Sequence, residues 1–203
     1  MIEAGESEQI LWGDGNWIFW DVGFATERKS SGLLIGDEEP KCLRFADATR
    51  QIVEHVTRAE SPTGLVIEAP LSVCFNKHGN PTGRSVEKER TMEGQTKTRY
   101  WYMGLGCSVT VLAMYLMRAI AEASPKNPVR LFEGFVSFKD HADRTDHGLD
   151  AKLLREVARE PVRFANCIVS SDRLQADPED KIVSVRLKTC GVIGIICVSK
   201  EVV

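Results

Sequence analysis

Three apolar runs of the sequence each end on a single carboxylate: Asp21 in Ile18-Phe19-Trp20-Asp21, Glu68 in Val66-Ile67-Glu68, and Glu133 in Leu131-Phe132-Glu133. An ionised carboxylate in an apolar strand is expensive unless a cation, a proton or good donors compensate it. Ligand sites in open sheets gather near strand ends, so a cation is the compensation these positions suggest. Taken singly, each acid reads equally well as a strand-end cap or as the partner of an Arg or Lys. A fourth segment changes the balance. Asp140-His141-Ala142-Asp143-Arg144-Thr145-Asp146-His147-Gly148-Leu149-Asp150-Ala151 sets four aspartates and two histidines at the start of the last predicted helix. Asp146 and Asp150 are four apart, His147 and Asp150 three apart, and both spacings share one helical face. Capping by Asp at a helix N-terminus explains one or two of these acids. It does not explain Asp150, which lies inside the helix.

A second set of residues could contact an anion. From Asn76 to Arg99 the chain is irregular, with six basic against three acidic residues, so this segment carries about +3 and the remainder about −6. Long irregular loops in compact domains are usually functional or mobile. Gly79-Asn80-Pro81-Thr82-Gly83-Arg84 follows the Glu68 run and is expected near that strand's carboxyl end. Arg84 offers a bidentate fork for phosphate, and Lys77, Lys88, Arg90, Lys97 and Arg99 extend the contact. Tyr100-Trp101-Tyr102 either stacks on an unpaired base or anchors the loop in the core.

The elements that must position these groups are legible in outline. Trp17–Phe24 is apolar on both faces, as in a covered central strand. Ser31–Ile35 and Cys42–Phe45 follow as strands, then a helix begins at Asp47 with Ala48, Ile52, His55, Val56 and Ala59 at near-helical spacing. Leu65–Ala69 is another buried strand, cut off by Pro70. Cys107–Ala123 is apolar nearly all round and predicts a core helix. Val129–Phe132 leads into Glu133, and Leu149–Arg159 is the last helix. Ile182–Leu187 and Val192–Val198 flank Lys188-Thr189-Cys190-Gly191 and predict a terminal β-hairpin, whose apolar strand completes the sheet or pairs two subunits. Antiparallel strands first and β-α alternation afterwards describe a mixed five-stranded sheet with helices on both faces. The division expected is a flexible leader at 1–16, a domain at 17–160 and a hairpin extension at 161–203.

The chain has 203 residues, 43% hydrophobic and 27% charged, with a formal charge of −3. A chain of that length buries enough surface to hold a core without staples. No apolar run approaches the roughly 20 residues that cross a bilayer, and the acidic start lacks the basic cluster of a secretory signal. Six scattered cysteines without a C-x-x-C pair read as buried reduced thiols of a cytoplasmic protein.

Taken together, Asp21-Val22-Gly23 on the first apolar strand, Glu68 at the end of the fourth, and His147-Gly148-Leu149-Asp150-Ala151 opening the last helix resemble the RNase H-like nuclease superfamily. The nearer match is the branch holding the RuvC Holliday-junction resolvases. Glu68-Ala69-Pro70-Leu71 also looks like the acid-x-Pro-Leu turn of an uncharacterised bacterial and archaeal family predicted to be RNase H-like nucleases. The resemblance covers about Trp17 to Arg159. It implies that Asp21, Glu68 and Asp150, with His147 or Asp146 as the fourth member, bind divalent metal and carry the catalysis. Glu133 is a second-rank member. Oxygen-rich clusters suit Mg²⁺ or Mn²⁺ rather than zinc, and two such ions can drive phosphodiester hydrolysis without a nucleophilic side chain. The partner implied is nucleic acid, DNA or RNA, with a homodimer as a weaker expectation. Three alternatives stay open: a silent RNase H-like binding or scaffold protein, a phosphotransferase related to the actin-like ATPases, which also open on Asp-x-Gly, and a metal-dependent hydrolase of a small phosphorylated molecule.

Overall fold

The computed structural model describes residues 1–11, 16–25, 27–88, 91–92, 95–96, 101–102, 105–136, 146–184 and 195–198. The chain opens with β1 (Ile2–Ala4), α1 (Ser7–Leu11), β2 (Asn16–Asp21), β3 (Ser31–Ile35), β4 (Lys41–Leu43) and α2 (Phe45–Arg58). It continues through β5 (Thr63–Glu68), β6 (Ser72–Phe75), β7 (Pro81–Thr82), α3 (Ser85–Lys88), β8 (Thr91–Met92), β9 (Gln95–Thr96) and α4 (Leu105–Ala123). It closes with β10 (Val129–Val136), α5 (His147–Arg159), β11 (Ile168–Val169), β12 (Lys181–Ser184) and β13 (Ile195–Val198).

The architecture is mixed α/β. Eight strands form the main sheet in the order β11-β13-β10-β5-β2-β3-β4, with β1 also on β10. β2, β5 and β10 run parallel, while β3 is antiparallel to β2. Alternation along the central strands divides the core in two. Ile18, Trp20, Leu65, Ile67 and Leu131 face α2 and α4, where Ala48, Ile52, Val56, Ala113, Leu116 and Ile120 meet them. Phe19, Val66 and Phe132 face the other way, onto Ala151, Leu154, Val157 and Ala158 of α5.

Several expectations need correcting. The sheet has eight strands, not five, because the short β1, β11 and β13 extend it on the β10 side. The leader is not loose: β1 pairs with Val129–Leu131 of β10, and Ile10 is fully buried. Residues 185–194 of the expected hairpin lie outside the described residues, and the described parts of its two strands do not pair with each other. β12 joins β6 and β7 in a separate small sheet, whereas β13 runs parallel to β10 and antiparallel to β11. Both strands satisfy their backbone groups on strands formed earlier in the chain, a pairing that local turn signals cannot report. Finally, among the described residues α4 is covered on one side only. Leu105, Val111, Met114 and Tyr115 are exposed, and by length and composition alone this helix is apolar enough to cross a bilayer. Its inner side packs on the sheet and on α2 instead. α2 begins two residues earlier than predicted, at Phe45, whose ring packs on Trp20, 5.7 Å between centroids.

Of the cysteines, Cys74 and Cys167 are buried, as expected, while Cys42 and Cys107 are exposed. Cys42 sits on the edge strand β4 and Cys107 in the first turn of α4, positions where an apolar neighbourhood in sequence does not become burial.

Candidate metal centre

Asp21 is the last residue of β2 and Glu68 the last of β5, and the two are direct neighbours across the parallel ladder. By alternation both side chains take the face of Phe19 and Val66, the face that α5 covers. Asp150, in the first turn of α5, comes down onto them. Ligand oxygens of Asp21, Glu68 and Asp150 lie within 4.8 Å of one another, and all three residues are buried. The chain thus gathers three acids that sequence separates by up to 129 positions.

The approach of α5 depends on Gly32. This residue is the antiparallel neighbour of Asp21 on β3, and a Cβ there would collide with the carbonyl of His147. Without a side chain, the first turn of α5 settles on the β3 backbone beside Asp21. His147 then reaches Asp21, with Nδ1 2.6 Å from Oδ2. Asp146 takes a different role from the metal ligand expected of it. It is exposed, it is the N-cap of α5, and its Oδ1 accepts the Leu149 N–H at 3.1 Å. The capping explanation therefore holds for Asp146 and fails for Asp150, which turns inward.

The electrostatics favour a cation. Two unit charges about 5 Å apart repel by about 3 kcal/mol at an effective dielectric near 20, and three acids make three such pairs. The positive end of the α5 dipole offsets a fraction of this. The donor set fits a hard divalent ion: all three acids offer oxygen, and two ligands on opposite sides of an ion bonded at about 2.0–2.6 Å stand about 4–5 Å apart.

Glu133 is not part of this group. It shares the face of Leu131, the α4 side, opposite to the three acids. There it is fully buried with Arg84 and Glu87. Arg84 was the expected phosphate fork; the structure turns it inward, 1% exposed, and commits both guanidinium ends to carboxylates. Nη1 donates to Glu133 Oε1 (2.6 Å) and Ser72 Oγ (2.9 Å), and Nη2 to Glu87 Oε1 (3.0 Å). Burial opposes the Arg84 charge, but the two carboxylates outweigh it and hold its pKa above the usual value. Burial pushes the Glu133 carboxyl up, against the pull of Arg84 and of the Leu71 N–H. The physical reason for the correction is that an irregular segment must still bury something, and Arg84 reaches the core together with its counter-ions.

Lys77 is exposed and bridges to Glu179 at 3.0 Å. Lys88 closes α3, with its side chain outside the described residues. Arg90, Lys97, Arg99 and Tyr100 also lie outside them, as do residues 140–145. Trp101 takes the core alternative, its ring 4.7 Å from that of Phe135. Sequence reasoning missed Glu87 and Gly32. The first carried a signal in its i, i+3 spacing from Arg84; the second had none, because its partner is a helix 115 residues away. No family model, no curated protein and no solved structure matches this chain.

Proposed function

We propose that this protein is a divalent-metal-dependent nuclease of RNase H-like type, hydrolysing nucleic-acid phosphodiesters. The observation that carries the reading is the convergence of Asp21, Glu68 and Asp150, from two strand ends and a helix, within one ion's reach. The core topology supports it. Counting from β2, the acids stand on the first and fourth strands of the central sheet and on the last long helix, the placement of acids that the resemblance implies.

Bound divalent ions would supply an activated water and stabilise the leaving oxygen of a phosphodiester. The three carboxylates would hold those ions at the rim of the sheet. His147 would act by position, its Nδ1 fixing the rotamer of the Asp21 carboxylate. A site of this composition needs no nucleophilic side chain.

Saturating Mn²⁺, at about 100 times its Kd, adds about 2.7 kcal/mol to the folded state, about 5–10 °C in Tm for a chain of this length. Asp21→Asn is expected to raise the metal-free Tm, by relieving repulsion, and to abolish the Mn²⁺ shift. Labelled DNA and RNA, branched forms included, should be cut with Mn²⁺ by the wild type and not by Glu68→Gln. Absence of a metal shift in the wild type would move the reading to a silent scaffold. ATP hydrolysis with every polynucleotide intact would move it to a phosphotransferase.

A further inference from the structure

The turn that follows Glu68 is gripped from the far side of the sheet. After Glu68 the chain leaves β5 through Ala69-Pro70-Leu71 and starts β6 at Ser72. Glu133, opposite Ile67 on the neighbouring strand, sends Oε2 to the Leu71 N–H at 2.8 Å. Its Oε1 takes Arg84, which also holds Ser72. From α4, Thr110 Oγ1 lies 2.8 Å from the Pro70 carbonyl and 2.9 Å from the Gly106 carbonyl one turn back, its single proton shared between the two acceptors and so tying the turn to the helix. Beside it, a Cβ on Gly106 would press on Pro70, so α4 lies directly against the turn. Pro70 itself fixes one backbone dihedral and restricts the residue before it.

We propose that Glu133 and Thr110 are positioning residues for Glu68: by holding Leu71 N–H and Pro70 C=O they set the exit angle of β5 and so the direction in which the Glu68 carboxylate meets Asp21 and Asp150. The inference rests on the metal-binding reading above. It assigns a task to a buried ionic cluster that lies on the opposite face of the sheet from the acidic group. The carboxylate of Glu133 supplies acceptor geometry toward Leu71, and Arg84 with Glu87 compensates the charge that geometry brings into the core. A buried ion pair is weak as a source of stability, because desolvation offsets its attraction, so a role in direction accounts for the cluster better than a role in stability.

The test compares full-length variants by Mn²⁺ calorimetry. Glu133→Leu alone would strand the Arg84 charge and confound the result, so Arg84→Met and Glu87→Gln are combined with either Glu133→Gln or Glu133→Leu. Both triple variants are neutral at the cluster, and the glutamine keeps an oxygen for Leu71 N–H while the leucine does not. Expected is Mn²⁺ affinity within threefold of wild type for the glutamine form and at least tenfold weaker for the leucine form. Thr110→Val, which strands no charge, should weaken Mn²⁺ at least threefold, and Thr110→Ser should restore it. Equal affinities in the two triple variants, or wild-type affinity in Thr110→Val, overturn the inference while leaving the metal site standing. A wild type that binds no Mn²⁺ overturns the functional reading and this inference with it.

Discussion

Arg84 and Glu133 show how much a single buried charge decides. Removing one partner leaves the other in a site with no water to solvate it, a loss of about 3–5 kcal/mol. Arg84→Met is therefore expected to lower the urea-unfolding free energy by that amount. Arg84→Met with Glu133→Leu and Glu87→Gln should recover most of it, since apolar packing replaces the ions. A loss below about 1 kcal/mol for Arg84→Met would mean that the cluster is more hydrated than its burial indicates. Asp146 and Asp150 make the complementary point. They are four residues apart on one helix, yet one caps the backbone in solvent and the other is buried with Asp21 and Glu68. Residue type and spacing were the same; the height at which α5 meets the sheet separated them.

At the scale of elements, the contact of α5 with β3 sets that height. Gly32→Ala is expected to push the first turn of α5 outward, at about 1–3 kcal/mol for overpacking, and to separate Asp150 from Asp21. Both a lower Tm and a loss of the Mn²⁺-induced shift should follow, whereas Gly36→Ala, at a turn with open space and φ +54, should lower Tm without touching the shift. α2 makes a pH-dependent contribution through His55. This half-buried ring lies 2.8 Å from Asn16 Oδ1, and burial lowers its pKa, with Glu38 pulling weakly the other way. The unfolded chain then binds the proton more readily than the folded one, so stability rises with pH through this group. Its contribution is fully present above the unfolded value near 6.5 and is lost as pH falls through the lower folded value. Tm should drop between pH 7 and pH 5, and drop less in His55→Gln.

For the molecule as a whole, one edge of β10 is shared by segments from far ends of the sequence. β1 covers Val129–Leu131 and β13 covers Glu133–Val136, both parallel to it. The Val129 N–H donates to the Met1 carbonyl and the Gly5 N–H to the Leu131 carbonyl. Deleting residues 2–11 would open that edge and remove Ile10 from the core, about 3 kcal/mol with the lost ladder included. A fall of about 6–12 °C in Tm is expected for a chain of this length; an unchanged Tm would show that these residues add nothing to the fold.

The sequence by itself determined the α/β class, the central strands, the starts and ends of α4 and α5 to within two residues, and the acids at the ends of β2 and β5. These follow from local rules: periodicity of apolar residues, Pro and Gly as breakers, and the cost of a carboxylate in an apolar run. It singled out Asp150 by its place inside the helix and Arg84 by the chemistry of its fork; the structure gathers Asp150 with Asp21 and Glu68 and turns Arg84 onto Glu133 and Glu87. Only the tertiary structure decided that Asp150 faces the strand ends, that Arg84 faces Glu133, and that the terminal strands part company into two sheets. The reason is common to all three. Which donor or counter-ion compensates a buried charge, and which edge completes a strand, depends on groups distant in sequence that become neighbours only when the sheet is assembled.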